Sequence, residues 1–214
     1  MEKTCYIVGA GHLAPLPEIN KDDVVIAADG GYDALLCLGI TPDLLVGDMD
    51  SISSHADGVA TKRFPVMKDE TDSHLCYLEG KALGAKRFLI YGGVGGRADH
   101  TFANYQLLFN MRRHGDRGYL IDDGAFSFII ENEGVSIEVP KGADVSVFAF
   151  GGECREVKIK GLVYEADGIT LSPDFPLGVS NSSSGGEAKV SLTSGAMLIM
   201  IGAEFGKCRI KYSR

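Results

Sequence analysis

Acidic side chains in the first half of the chain gather in a few short segments. Asp29-Gly30-Gly31, Gly47-Asp48-Met49-Asp50-Ser51, Lys68-Asp69-Glu70-Thr71-Asp72 and the stretch from Gly92 to His100 together hold Asp29, Asp48, Asp50, Asp69, Asp72 and Asp99. If these segments meet, their charges need a counter-charge. Two unit charges about 4 Å apart repel by about 4 kcal/mol at an effective dielectric of about 20. Such a cluster is tolerable with cations between its members or with raised pKa values. Hard oxygen ligands in this number suit Mg²⁺, which takes one or two carboxylates together with phosphate oxygens and water. Taken singly, Asp48 or Asp50 serves equally well as a turn residue or helix N-cap. The set as a whole is what points to a cation.

The last segment, Gly92-Gly93-Val94-Gly95-Gly96-Arg97-Ala98-Asp99-His100, packs four glycines into its first five residues. A loop of that kind lets backbone N–H groups approach an anion, and a following helix start adds partial positive charge. Arg97 supplies a permanent cation whose fork fits phosphate oxygens. His100 is a candidate base, or equally a capping or packing residue. No GxxxxGK[ST] and no GxGxxG is present, which disfavours P-loop and standard dinucleotide sites. No Ser or Cys sits in a nucleophile setting such as GxSxG. Loop, arginine and acidic rim together suggest a magnesium nucleotide.

Positioning these segments requires particular elements. Tyr6–Val8, Val24–Ala27, Leu44–Val46, Phe88–Ile90 and Tyr119–Ile121 are nearly continuous apolar runs, as expected of strands covered on both faces. Between them lie helical stretches at Tyr32–Leu38, Ser73–Leu83 and His100–Arg113. Leu75, Leu78 and Ala82 recur at helical spacing behind Thr71 or Asp72 as N-cap, and Phe102, Tyr105 and Leu108 or Phe109 share a face of the third helix. Strand, loop and helix in repetition predict a mostly parallel α/β sheet. In such sheets the loops beyond the carboxyl ends of the strands converge on one crevice, and the acidic segments fall on those loops.

The pattern changes after Asp122-Asp123-Gly124. Phe126–Ile130, Val135–Val139, Val145–Phe150, Val157–Ile159, Ala188–Leu192 and Met197–Ile201 read as short strands separated by turn clusters. Val135, Ile137 and Val139 face inward, with Ser136 and Glu138 outward. Ser182-Ser183-Ser184-Gly185-Gly186 reads as a flexible loop. The expectation is an α/β domain over residues 1–123 followed by a small all-β sandwich or barrel over residues 124–214.

The chain has 214 residues, of which 45% are apolar and 23% charged, which excludes a disordered polymer. Twenty-nine acidic and 21 basic groups give a net charge of −8, which opposes a general nucleic-acid surface. A nucleotide ligand is compatible with that charge, since one metal ion reverses the local sign. Cys5, Cys37, Cys76, Cys154 and Cys208 are odd in number and at least 32 positions apart, so they read as buried thiols rather than as a zinc site or disulfide framework. Asp57, Asp116 and Asp174 lie in hydrophilic surroundings and read as solvated surface. The stretch from Ala196 to Ala203 is far shorter than the roughly 20 residues of a membrane span. With no signal-peptide pattern at Met1–Cys5, a soluble, cytoplasmic protein without membrane or nucleic-acid partners is expected.

The ordered set Asp29-Gly30-Gly31, Pro42 to Ser51, Asp69-x-Thr71-Asp72, Gly92-Gly93-x-Gly95-Gly96-Arg97-x-Asp99-His100 and Ser180-Asn181 resembles the thiamin pyrophosphokinase family. The resemblance implies an N-terminal catalytic, nucleotide-binding α/β domain and a C-terminal β domain for thiamin binding and dimerisation, with active sites at the interface of a homodimer. It implies transfer of pyrophosphate from ATP to the hydroxyl of thiamin, giving thiamin diphosphate and AMP. It assigns Asp48, Asp50 and Asp72 to Mg²⁺ and the triphosphate, with Asp99 as a further ligand or the acceptor of the hydroxyl proton. Arg97 and the Gly93, Gly95 and Gly96 backbone would hold phosphate, and Asp29, Gly30, Asp69 and Thr71 would line the nucleotide side. Ser180 and Asn181 would meet thiamin. Some members place a Trp over the thiamin ring and this chain has none; others carry Gln in place of His100. Two other readings follow from the residues: a magnesium-dependent nucleotide or phosphoester hydrolase, and a non-catalytic nucleotide- or thiamin-binding module.

Overall fold

The computed structural model describes residues 2–50, 58–65 and 67–213; Ser51 and Asp57 lie outside the described residues. The chain divides into two compact units, residues 1–123 and 124–214.

The first unit is built from β1 (Thr4–Val8), β2 (Val24–Ala28), α1 (Gly31–Cys37), β3 (Leu44–Gly47), β4 (Thr61–Arg63), α2 (Asp72–Ala82), β5 (Arg87–Tyr91), α3 (Ala98–Arg113) and β6 (Arg117–Asp122). Its strands run parallel in the order β6-β5-β1-β2-β3-β4. Every residue of β1, β2 and β3 is buried, which fits their uninterrupted apolar sequences. The exposed β4 has the polar sequence Thr-Lys-Arg, so no hydrophobic pattern announced it.

The helices are positioned differently from the predicted stripes. On α2 the buried residues are Leu75, Cys76, Tyr77 and Gly80, and Leu78 and Ala82 are exposed. On α3 they are Asn104, Leu107, Leu108 and Met111, leaving Phe102 58% exposed and Tyr105 half-buried. Both faces keep helical spacing, but a buried polar residue or a glycine occupies a place where apolar side chains were expected.

A second correction concerns Asp116, which has no solvent exposure. Tyr77 donates to its Oδ2 at 2.8 Å and Lys81 at 2.7 Å, and Lys86 lies 3.3 Å from Oδ1. Burial pushes the Asp116 pKa up. Hydrogen bonds from Lys81 and Tyr77, with the Lys81 charge and a Lys86 hydrogen bond, outweigh it and hold the carboxyl below its usual range. Asp174, by contrast, is exposed and bonded to Ser172.

The second unit consists of β7 (Ala125–Glu131), β8 (Gly134–Val139), β9 (Asp144–Ala149), β10 (Cys154–Lys160), β11 (Ala166–Leu171), β12 (Asn181–Ser182), β13 (Gly186–Ser191), β14 (Ala196–Ile201) and β15 (Arg209–Ser213). It forms antiparallel sheets ordered β12-β9-β14-β7 and β11-β10-β13-β8-β15. Phe128 of β7 meets Tyr212 of β15 edge to face at 6.3 Å, joining the two sheets in a sandwich. Val135, Ile137 and Val139 are buried, while Glu138 is exposed. The 182–186 segment is pinned rather than flexible. Ser182 belongs to β12, and Ser183, 3% exposed, exchanges backbone hydrogen bonds of 2.9 Å with Ala143 N-terminal to β9 and with Gly142. All five cysteines are free; Cys5, Cys76 and Cys154 are buried, Cys208 is half-buried and Cys37 is exposed. No helix among the described residues is long and apolar enough to cross a membrane.

Candidate active site

Strand order in the first unit reverses at β1: β2, β3 and β4 lie on one side, β5 and β6 on the other. The carboxyl ends of the strands around that point enclose a cleft of about 630 Å³, where open parallel sheets bind ligands. The exit of β1 contributes Gly9, Ala10 and Gly11. The exits of β2 and β3 contribute Asp29, Gly30 and Asp48, and the β5 exit contributes Gly92, Gly93, Gly95 and Gly96. The remaining wall comes from Lys68, Glu70, Thr71 and Asp72 at the start of α2, and from Arg97, His100 and Asn104 on α3.

The β1 and β5 exits interlock. Gly9 donates its N–H to Tyr91 O at 2.8 Å, and Gly11 donates to Gly92 O at 3.0 Å. A Cβ at Gly11 would stand 2.5 Å from Gly92 O, and Gly92 itself has φ +64°. Side chains are excluded at both places, so the cleft floor is bare backbone. Sequence reading missed Gly9 and Gly11, although two glycines directly after the first strand were a usable signal. It also missed Asn104, 5% exposed, whose Nδ2 donates to Gly93 O at 2.8 Å and ties the glycine loop to α3.

Three of the six aspartates of the predicted acidic rim form one tight group. Asp29, Asp48 and Asp50 each offer a carboxylate oxygen, and the three lie within 4.8 Å of one another. Asp29 has φ +45° and Met49 φ +70°; a left-handed Asp is tolerated better than a left-handed Met, and each costs backbone energy. Asp50 donates its N–H to Asp48 Oδ1 at 3.1 Å, closing a turn that brings both carboxylates round to Asp29. Asp29 Oδ1 is buried without a hydrogen-bond partner among the described residues. A buried carboxylate oxygen without a donor, next to two further carboxylates, is a costly arrangement unless a cation completes it.

The other predicted residues of the first unit stand in different settings. Thr71 is the N-cap of α2, accepting from His74 N at 3.2 Å. Asp72 lies apart from the three-carboxylate group, with Lys68 Nζ at 2.6 Å from its Oδ1. Asp69 is exposed and does not line the cleft, where its neighbour Glu70 does. Arg97 is bonded to Asp99 through Nε at 3.2 Å and Nη2 at 2.7 Å. That hydrogen bonding, with the His100 N–H and the Arg97 charge, pushes the Asp99 pKa down to about 2. The Asp99 carboxylate is therefore a poor proton acceptor near neutral pH.

In the second unit, Ser180 has φ +57° and donates its N–H to Ser146 Oγ at 3.0 Å. Asn181 is 7% exposed, and both ends of its amide are hydrogen-bonded. Its Oδ1 accepts from Tyr164 N at 2.9 Å and from Ser182 N, and its Nδ2 donates to Tyr164 O at 2.7 Å. Asn181 thus clamps the backbone of Tyr164, whose side chain is 73% exposed.

Fold and cleft define a class: an α/β domain with bare backbone and clustered carboxylates at the carboxyl ends of its parallel strands, followed by an antiparallel β domain. The family model for the thiamin pyrophosphokinase catalytic domain matches residues 17–120, and that for the thiamin pyrophosphokinase vitamin B1 binding domain matches residues 129–197. A thiamine pyrophosphokinase of Bacillus subtilis (strain 168) is 27% identical over 210 residues, covering 93% of this chain and 98% of the relative. The crystal structure of thiamine pyrophosphokinase from Bacillus subtilis superposes with a TM-score of 0.86 at 25% identity, covering 95% of this chain and all of that one. The thiamin pyrophosphokinase from Candida albicans shares the fold, with a TM-score of 0.76 at 15% identity over 95% of this chain and 90% of that one. The chain belongs to the thiamin pyrophosphokinase family. Its reaction is the transfer of pyrophosphate from ATP to thiamin.

Proposed function

We propose that the transfer takes place in the cleft at the β1–β5 reversal, with Mg²⁺ held by Asp29, Asp48 and Asp50. The observation that carries this reading is the unpartnered, buried Asp29 Oδ1 beside two further carboxylates. Hard oxygen donors of that number fit Mg²⁺. Bound there, the ion would supply positive charge against the triphosphate and the departing AMP. The hydroxyl oxygen of thiamin bonds to the β-phosphorus and gives its proton up to solvent, the bond from that phosphorus to the α–β bridging oxygen breaks, and that oxygen leaves with AMP. Positioning and charge neutralisation dominate such a step.

The chain's own residues divide the remaining work. The N–H groups of the Gly93, Gly95 and Gly96 loop, steadied by Asn104, bind phosphate oxygens, and Gly30 and Thr71 line the nucleotide side. Asp99 takes Nε and Nη2 of Arg97 and so holds its positive charge at the phosphate side of the cleft. Asp72 belongs to the same triphosphate centre. The second unit of the other copy in a homodimer contributes the thiamin contacts: Ser180 directly, and Asn181 by holding Tyr164, whose exposed ring stands in for the missing Trp as a surface for a flat cation.

A homodimer completes the site. Val163, Tyr164, Phe175, Leu177 and Val179 of the second unit are 49–73% exposed, apolar surface that suits burial against a second copy. Five free thiols suit the reducing cytoplasm. The test is incubation with ATP, Mg²⁺ and thiamin, with separation of products. Thiamin diphosphate and AMP in equal amounts support the reading. Release of AMP or phosphate without thiamin would identify a hydrolase instead, and binding without any product a non-catalytic module.

A further inference from the structure

Lys68 has no role in any of the assignments above, yet it is the most enclosed cation of the cleft. Its side chain is 13% exposed, against 71% for Arg97, the other permanent cation in the cleft wall. Arg97 already directs Nε and Nη2 at Asp99. Lys68 places Nζ 2.6 Å from Asp72 Oδ1, one turn along the chain. An ammonium has three donors on a flexible four-carbon stem, and Asp72 occupies one of them. An enclosed charge is screened less by water and salt than an exposed one, so it acts more strongly on an anion entering the cleft.

We propose that Lys68 is the cation that grips the triphosphate, and that Asp72 holds it in readiness until the nucleotide arrives. Without nucleotide, the Lys68 ammonium neutralises Asp72 in a wall that also carries Asp29, Asp48 and Glu70. An incoming triphosphate, with more negative charge and more acceptor oxygens than one carboxylate, draws the ammonium over. The Asp72 carboxylate, which lines the same cleft, would then be free to serve the cation that Asp29, Asp48 and Asp50 would hold. Nucleotide binding and completion of the metal centre are thereby coupled through one side chain. This inference rests on the functional reading above.

The test compares Lys68→Met and Lys68→Arg with the unaltered protein in three measurements. Affinity for α,β-methylene-ATP, in which the bond to be broken is blocked, is measured by calorimetry in the presence of Mn²⁺. Mn²⁺ binding without nucleotide is measured by electron paramagnetic resonance, and KM for ATP and kcat are measured separately. Lys68→Met should lose about 10- to 100-fold in affinity for the analogue, the size of a charge-assisted hydrogen bond. Lys68→Arg should recover most of that loss. Mn²⁺ binding without nucleotide should be unchanged or tighter in Lys68→Met, since a competing cation is gone. Analogue affinity in Lys68→Met equal to that of the unaltered protein, with only the melting temperature lowered, would reduce Lys68 to a brace for α2 and overturn the proposal. Weakened nucleotide-free Mn²⁺ binding would overturn it too. If the unaltered protein makes no thiamin diphosphate, the functional reading fails and this inference with it. If the unaltered protein turns over and Lys68→Met matches it, this inference alone fails.

Discussion

Asn104, on the buried face of α3, donates from Nδ2 to the carbonyl of Gly93 at 2.8 Å. A polar side chain thus occupies a core position of the helix in order to fix the loop that follows β5. Replacing it by Leu keeps the branched shape and removes the donor. Asn104→Leu should raise KM for ATP about tenfold with a smaller change in kcat, and leave a buried carbonyl unpaired at a cost of about 1–3 kcal/mol. Steady-state kinetics and thermal melts check the two halves separately.

The three-carboxylate group predicts strict dependence on divalent metal. Chelation with EDTA should abolish turnover, and Mg²⁺ should restore it. Asp29→Asn or Asp48→Asn should lower kcat/KM by about a hundredfold or more. The folded state should be retained and even stabilised, because one of three mutually repelling charges is gone. A melting temperature that falls in parallel with activity would argue against a metal site.

The interlocked strand exits predict that Gly11→Ala is severe despite its small size. The added methyl would stand 2.5 Å from Gly92 O, where backbone has to move. A loss of about 1–3 kcal/mol is expected in chemical denaturation, together with weakened nucleotide binding.

Asp116 predicts an acid limb in stability. Its pKa in the folded state lies below the unfolded value, so its contribution is fully present above the unfolded carboxylate range of about 4 and is lost as pH falls through the folded value. Asp116→Asn should cost about 2–3 kcal/mol near neutral pH, less than for a fully enclosed pair because Lys81 and Lys86 reach solvent. As pH falls below about 4 the gap between the variant and the unaltered protein should narrow. Melting curves between pH 3 and 7 measure this, as roughly set by the reference carboxylate value.

Asn181 predicts an indirect effect on thiamin. With its amide spent on Tyr164, Asn181→Ala should raise KM for thiamin through a loosened Tyr164 and leave KM for ATP unchanged. Tyr164→Ala should reproduce the effect, and Tyr164→Phe should not. Substrate-resolved kinetics distinguish these outcomes.

Much of the architecture was legible because buried parallel strands are written as contiguous apolar runs, as in Tyr6–Val8 and Val24–Ala27, with the acidic segments directly after them. What escaped depends on partners distant in the chain. Asp116 reads as surface because its neighbours in space, Tyr77, Lys81 and Lys86, are 30 to 39 positions away. β12 and β15 are short or partly exposed, so their pairing with β9 and β8 is decided by backbone hydrogen bonds more than by hydrophobic alternation. In α3 the expected stripe was displaced because Asn104 takes a place on the inner face and Phe102 is left outside. Lys68 went unremarked because a lysine among acids looks like ordinary charge balance. Only its enclosure sets it apart.

Joining Gly9 to Tyr91 and Gly11 to Gly92 makes the two loops a single mechanical part. A ligand that grips the 92–96 turn therefore also pulls on the end of the central strand, which is anchored in the sheet on both sides. Rearranging one loop to suit another phosphate donor would disturb the other as well, so an engineer should redesign them as a pair or leave both alone.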